Sequence, residues 1–253
     1  MTRFPMVGKA TYELVLDRRV PIALLLVSAL LTLTFGFMTG QTASNPASPM
    51  DFVEPLRFVG PIIVGLFAIA LAGDAISRER QDGTIRLLFT APATLTRYWA
   101  ALTAAHVLAF ATLTVVTLAF AALVGVVAGW VALKATLILV GLALFPLFLT
   151  LDMGLLAASA RFTSGRTSLV VATLTVVVLW GTGSVGPLGE LLKGVDLWSY
   201  VSPWHPFDLA YGVGSSLLDE GMIAWQDVGK AYLEAAAAAG IAWASLIRME
   251  VGL

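Results

Sequence analysis

Long uninterrupted runs of apolar residues are the feature that most restricts how this chain can fold. The clearest run, Val20 to Met38, reads VPIALLLVSALLTLTFGFM and contains no charged residue. A helix needs about 20 mostly apolar residues to cross a bilayer. The chain as a whole is 58% hydrophobic and 12% charged, with a mean hydropathy of +0.89, whereas a soluble domain carries about 25% charged residues. The sequence therefore predicts an all-α, polytopic membrane protein.

Six segments are predicted as transmembrane helices, and together they form a single transmembrane domain over residues 1–253. They lie at about residues 20–38, 58–75, 100–128, 135–160, 169–182 and 231–247, the last of which is rich in alanine. The first begins too far from Met1, and is too long, to be a cleaved signal peptide. Residues 129–134 are expected to join the third and fourth spans in a tight hairpin.

The positive charges predict the orientation of these spans. Eleven of the 15 Lys and Arg residues fall in the N-terminal segment and in the segments that follow the second, fourth and sixth predicted spans. Because cytoplasmic segments are enriched in Lys and Arg, we expect both termini in the cytosol and a location in the plasma membrane.

Two segments outside the spans have an interfacial character. Residues 4–19 alternate apolar and charged positions and predict an amphipathic helix lying in the inner interface; an ordinary cytosolic tail is the alternative. Residues 183–230 combine Trp, Pro and Gly, which favours short interfacial or re-entrant helices at the outer surface before the last span.

Composition also excludes several classes of site. The net charge of −1 gives no basic footprint for nucleic acid. Cysteine is absent and only two His are present, so a thiolate nucleophile is excluded and a multi-His metal centre is not expected. We expect this chain to bind no cofactor of its own.

The segment between the second and third spans, residues 74–99, is unusually charged for this chain and is called the elbow below. We expect a helix to continue to Gln81, a turn at Gly83 in the left-handed conformation that ends helices, and a short amphipathic helix from Thr84 that Pro92 terminates. A structured cytosolic elbow of this kind is typical of a docking surface. The alternative is a solvated turn followed by a helix lying on lipid.

The elbow sequence ISRERQDGTIRLLFTAPATLTRYWAAL resembles the signature of ABC-2 type (type-2) ABC transporter permeases. The signature has an acid–Arg pair, Gly-Thr, Leu-Leu and a Pro before a span, found here as Glu79, Arg80, Gly83, Thr84, Leu87, Leu88 and Pro92. YELVLDRRVPIALLL, LLAASARFTSGRTS and LWSYVSPWHPF are similar to other parts of that family. The chain departs from it near the entry of the third span, where Ala101 and Leu102 stand in place of the usual Lys.

The resemblance implies a permease subunit that pairs with a second copy, as a homodimer, and with cytosolic ATPase subunits that bind ATP and Mg. It also implies that the elbow transmits the motion of the ATPase. The compact form is similar to the permease of nitrous oxide reductase maturation. The residues expected to couple the permease to the ATPase are Arg78, Glu79, Arg80, Gly83, Thr84, Leu87, Leu88 and Pro92.

The lysines test whether the chain is itself the ATPase. A phosphate-binding loop needs Gly-Lys followed by Ser or Thr. The four lysines are followed by Ala10, Ala135, Gly194 and Ala231, so that loop is absent and we expect the chain not to be an enzyme.

Two ionisable residues fall inside predicted spans, where such groups are functional candidates. His106 lies nine residues after Arg97, and Asp152 lies nine residues before Arg161. Their depths therefore match, which raises the hypothesis that the two side chains approach each other; the alternative, which is the commoner arrangement, is that each is satisfied locally. Pro146, near the middle of the fourth span, is a hinge candidate because it removes a backbone hydrogen bond; the commoner alternative is a kink that serves only packing.

Two other functions stay open at this point. A non-transporting membrane anchor or regulatory partner with a permease-like fold has the same sequence features. An integral membrane enzyme is less favoured, because the chain has neither a His-Glu-x-x-His motif nor a Gly-x-Ser-x-Gly nucleophile elbow.

Overall fold

The computed structural model describes residues 54–83, 95–128, 130–196 and 198–251. Within these ranges the regular structure is helical, with no strand, which confirms the expected all-α fold. The predicted interfacial helix at residues 4–19 and the predicted span at residues 20–38 lie outside the described residues.

The helices are numbered here in chain order, over the described part of the chain. They are α1 (Glu54–Ala72), α2 (Ala75–Gln81), α3 (Leu95–Ala128), α4 (Trp130–Leu139), α5 (Phe145–Ser159), α6 (Gly165–Thr182), α7 (Gly189–Leu192), α8 (Trp198–Val201), α9 (Pro206–Asp219) and α10 (Trp225–Val251). A π-helical segment, Val140–Leu144, joins α4 to α5, and a 3-10 turn, Ser202–Trp204, precedes α9.

Four stretches of the described structure are long and apolar enough to cross a membrane: Leu56–Gln81, Thr96–Val115, Lys134–Ser159 and Gly165–Thr182. They overlap the predicted spans at 58–75, 100–128, 135–160 and 169–182. The sixth predicted span lies within α10, which is not one of the four. That helix is long, but it begins with charged residues and is rich in alanine, so its crossing of the membrane stays a prediction.

The boundaries differ from the predicted ones in an informative way. The connection predicted at residues 129–134 is shorter than expected, since α4 already begins at Trp130. The fifth predicted span begins at Gly165 rather than at residue 169. Hydropathy detects the apolar centre of a helix, whereas the helix itself extends into the polar residues at its ends.

Helix α5 lies at the centre of the bundle and packs against α1, α6 and α10. Ten of its residues are buried. The ring of Phe148 stacks on that of Phe110 from α3, with centroids 4.5 Å apart, and lies 6.0 Å from that of Phe67 in α1. These aromatic contacts fix the three helices around one apolar core.

The π-helical segment explains what Pro146 does in the fourth span. In the π register each N–H bonds the carbonyl five residues earlier, and the Phe145 N–H does so to the carbonyl of Val140. The next donor would be Pro146, which has no N–H to give to the Gly141 carbonyl. The hydroxyl of Tyr232, from α10, donates to that carbonyl at 2.8 Å instead.

The segment after α6 forms the short helices α7 and α8 and the longer α9, as expected for residues 183–230. The buried face of α9 contacts α1 and α10. The guanidinium of Arg57, at the start of α1, lies 2.6 Å from the carboxylate of Asp219 at the end of α9. This ion pair and the elbow lie at opposite ends of α1.

Candidate functional site

The elbow begins with a break between α1 and α2, where the sequence predicts a continuous helix. The break falls at Gly73 and Asp74. A Cβ at Gly73 would lie 2.5 Å from the carbonyl oxygen of Ile69 in α1 itself, and 3.2 Å from Ala172 and from Leu169 of α6, so both the backbone at the break and the close approach of α6 call for glycine. The hydroxyl of Ser168 donates to the carbonyl of Gly73 at 2.6 Å, which satisfies a backbone group at the break.

The N-terminus of α2 is capped by a residue of a different helix. The first N–H groups of any helix have no partner within it. The hydroxyl oxygen of Ser159, at the end of α5, accepts the N–H groups of Ile76 and Ser77 at 3.1 and 3.0 Å. The side chain of Asp74, which occupies the N-cap position, makes no cap hydrogen bond. Ser159 therefore holds the start of α2 against the bundle.

The other end of α2 is bonded to the start of α6. The Gly165 N–H donates to the side-chain oxygen of Gln81 at 3.1 Å. A Cβ at Gly165 would lie 3.6 Å from the Cβ of Arg78, so the two helices are in van der Waals range. The turn between α5 and α6 is thus attached to both ends of α2.

The predicted coupling residues of α2 occupy different environments. Glu79 is half-buried, and its carboxylate accepts a hydrogen bond from the Tyr98 hydroxyl of α3. Arg80 is half-buried as well. Arg78 is exposed and faces the exposed Asp82, 4.0 Å away. Glu79 therefore connects α2 to α3, while Arg78 is free to meet a molecule outside the bundle.

The turn predicted after α2 is confirmed. Gly83 has a φ of +74° and a Cβ there would meet no atom within 4 Å, so glycine is required for its backbone conformation rather than for space. The other predicted coupling residues, Thr84, Leu87, Leu88 and Pro92, lie outside the described residues.

The two intramembrane polar candidates lie together. His106 Nδ1 is 2.9 Å from Oδ1 and 3.0 Å from Oδ2 of Asp152. Both side chains are completely buried. The pair joins α3 to α5 eight residues further along α3 than Tyr98, which bonds to Glu79 of α2.

Four residues that hold the elbow to the bundle are not among the predicted coupling residues: Ser159 and Ser168, which lie outside the elbow, and Gln81 and Tyr98, which lie within it. The sequence LLAASARFTSGRTS carries a weak signal for the two serines, since small polar residues near the ends of spans often hydrogen-bond between helices. Nothing in the local pattern of Tyr98 indicates its partner.

The chemistry available here is positioning rather than bond-making. In the described parts of the chain, no group of three or more His, Cys, Asp or Glu side chains is arranged to hold a metal ion. What the site provides is a short helix hydrogen-bonded to α3, α5 and α6.

Comparisons with known proteins identify the family. A family model described as "ABC-2 family transporter protein" matches residues 18–188, which is more than half of the 253 residues. The comparison with curated proteins gives no match, and neither does the comparison with solved structures. The matched region includes the elbow, its anchors and the pair of His106 and Asp152. Because the match covers more than half of the chain, the chain belongs to the ABC-2 transporter family, as a membrane-spanning permease component of an ABC transporter.

Proposed function

We propose that this permease moves a substrate across the plasma membrane using ATP that a separate cytosolic ATPase subunit hydrolyses. The observation that carries the proposal is the attachment of α2. This helix is hydrogen-bonded to Ser159 of α5, to Gly165 of α6 and to Tyr98 of α3. It is therefore attached to three helices of the bundle. When such a helix is displaced, the helices to which it is bonded move with it.

The exposed side of α2 supports docking of the ATPase there. Arg78 and Asp82 expose 45% and 60% of their side chains. Helix α2 is followed by the positive-φ turn at Gly83, and Leu87 and Leu88, which come next in the sequence, are the proposed apolar contacts. A combination of charged and apolar groups is typical of a specific protein interface.

The assembly we propose is a homodimer of this chain with two ATPase subunits. ATP and Mg bind the ATPase subunits, and this chain supplies no catalytic residue for hydrolysis. Both termini and the elbow lie in the cytosol, which places the elbow on the side where a soluble ATPase can reach it. We also propose that this compact chain is a permease of the kind that acts in nitrous oxide reductase maturation.

Co-purification tests the proposal directly. The chain is co-expressed with its genomic neighbours, purified in lipid nanodiscs and assayed for a bound ABC ATPase and for ATP hydrolysis. We expect the two subunits to elute together, and Leu88→Glu to abolish their association by placing a charge in the apolar contact. Glu79→Ala should preserve association but weaken the coupling of hydrolysis to transport, because it removes the bond to Tyr98.

A matched control separates the elbow from a general effect of losing an acid. Glu190, an exposed residue of the outer segment, pairs with Lys193 and lies far from the elbow in the fold. Glu190→Ala is expected to behave as wild type in both assays. If Leu88→Glu and Glu79→Ala leave association and coupled hydrolysis unchanged, the elbow is not the docking site.

A further inference from the structure

His106 and Asp152 form an ionisable pair sealed inside the helical bundle. Neither side chain has any exposed surface. Both oxygens of Asp152 lie within hydrogen-bond distance of one nitrogen, His106 Nδ1, at 2.9 and 3.0 Å. Two nearly equal distances fit an Nδ1–H that donates to an ionised carboxylate shared between its oxygens. In the described structure Asp152 has no salt bridge to Lys or Arg.

The other ring nitrogen is sealed in without a partner. His106 Nε2 is buried and has no hydrogen bond to any described residue. Thr103 Oγ1 and Trp99 Nε1, three and seven residues earlier on α3, are buried without a hydrogen-bond partner in the same way. Residues three and four apart share one face of a helix. A row of unsatisfied polar atoms therefore runs along α3 from the elbow end to His106.

The charge of the pair depends on this second nitrogen. With a neutral imidazole, the carboxylate of Asp152 leaves a net negative charge in the apolar interior, which is strongly disfavoured. With a proton on Nε2, the imidazolium and the carboxylate cancel. Since no Lys or Arg forms a salt bridge with Asp152 in the described structure, the pair avoids an uncompensated buried charge by holding one additional proton.

Neighbouring ionisable groups favour the same state. Glu79, from α2, is close enough to His106 for the two charges to interact. Asp74, at the break before α2, is also buried, and α10 contributes Glu234, whose Oε2 is buried. The basic residues of the elbow, Arg78, Arg80 and Arg97, are exposed or half-buried, and the buried Arg57 lies at the other end of α1 in its pair with Asp219. Glu79 is the neighbour whose charge acts on His106, and its negative charge favours the imidazolium.

We propose that His106 and Asp152 form a proton-binding site in the membrane domain. The pair holds one proton, as imidazolium and carboxylate, while α3 packs against α5. When the two helices separate during the transport cycle, water reaches the pair along Thr103 and Trp99 and takes the proton from Nε2. Binding converts imidazole and H⁺ into imidazolium, and release returns H⁺ to water, so no other reactant is consumed.

Occupancy of this site is independent of the proposed function, whereas the release step rests on it. The chain contains only two His, His106 and His205, which makes ¹⁵N NMR of the imidazole rings decisive. Wild-type protein labelled at His is measured in nanodiscs at pH 7.5, and the two signals are assigned by the loss of one in His106→Gln. His205→Gln, which leaves His106 as the sole His, gives a second assignment.

At pH 7.5 we expect both nitrogens of His106 to carry hydrogen, and this signature to disappear in Asp152→Asn, which removes the compensating charge but keeps the shape. Glu190→Gln, on the outer surface, is the matched control and should leave the signature unchanged. A neutral His106 ring in the folded wild-type protein at pH 7.5 overturns the proposal, as does an imidazolium that survives in folded Asp152→Asn.

The release step is tested with the ATPase bound and arrested by ATP and vanadate. We expect the imidazolium signature of His106 to be lost in the arrested complex and restored after ADP release. An imidazolium that persists in an arrested complex overturns the release step. If no ATPase binds the permease, the proposed function fails, while the measurement on the permease alone still decides whether the proton site exists.

Discussion

The hydroxyl of Tyr232 donates a hydrogen bond to the Gly141 carbonyl at 2.8 Å, across the contact between α10 and the π-helical segment. The need for this bond follows from the sequence of the fourth span, because Pro146 stands where the backbone donor would be. A residue 91 positions later in the chain therefore completes the π register.

Tyr232→Phe is expected to destabilise the permease by about 1 kcal/mol, the typical cost of losing one hydrogen bond when the carbonyl is left behind. Thermal unfolding of the purified protein in detergent measures the change. Tyr200→Phe is the matched control, since Tyr200 is 78% exposed, and it should leave the unfolding temperature unchanged. Equal unfolding temperatures for Tyr232→Phe and wild type would contradict the role of the bond.

Gly83→Ala is expected to cost about 1 kcal/mol, because a Cβ is disfavoured in the left-handed conformation. The space at Gly83 is open, so no clash adds to this cost. Gly221, which lies between α9 and α10, has a φ of +67° and equally open space, so it is an internal match for Gly83. Gly221→Ala should lose similar stability.

Gly83 lies in the elbow, whereas Gly221 lies outside it. We therefore expect Gly83→Ala to lower ATPase association in the co-purification assay and Gly221→Ala to leave it intact. Parallel losses of association in both variants would mean that stability, and not the geometry of the elbow, controls docking.

The helices were predictable from sequence because hydropathy acts over many residues at once. The described spans fall where the apolar runs lie, and the turn at Gly83 falls where glycine follows a charged helix. The approach of His106 to Asp152 could also be anticipated, since equal depth in adjacent helices is a matter of counting residues along the chain.

The anchors of the elbow could not be predicted in this way. Ser159 caps a helix that is 83 positions earlier in the chain, and a serine in a span has no periodic pattern that indicates its partner. The break at Gly73 depends on the close approach of α6, which is a tertiary contact. The boundary between α1 and α2 is therefore set by packing, and the local sequence alone favours a continuous helix.

Ser159→Ala should detach the start of α2 from α5. Two N–H groups, of Ile76 and Ser77, lose their acceptor in a buried site, so we expect a loss of stability of about 2 kcal/mol. Hydrogen exchange followed by mass spectrometry should show faster exchange in residues 75–81. Ser159→Cys, which retains a weak acceptor, should fall between alanine and wild type.

A matched serine shows whether the effect is local. Ser199, in α8, is exposed, and its hydroxyl donates to the carbonyl of Asp196 within its own turn. Ser199→Ala should not change exchange in residues 75–81. Unchanged exchange in Ser159→Ala would contradict the capping role, whatever the change in overall stability.

The stability of residues 183–224, the segment that contains His205, should fall as the medium becomes acidic. Burial lowers the pKa of His205 below its ordinary value, and Asp208 raises the pKa in opposition but less strongly. The folded form therefore binds a proton more weakly than the unfolded form. The contribution of this residue is present above the ordinary pKa of about 6.5 and is lost as the pH falls through that value.

The groups around the ring are the Thr182 hydroxyl, 3.4 Å from Nε2, and the Asp208 carboxylate, 3.7 Å from Nδ1. Thermal unfolding at pH 7.5 and 5.5 should show a larger drop for wild type than for His205→Gln, and an equal drop in both proteins would exclude His205 as the source.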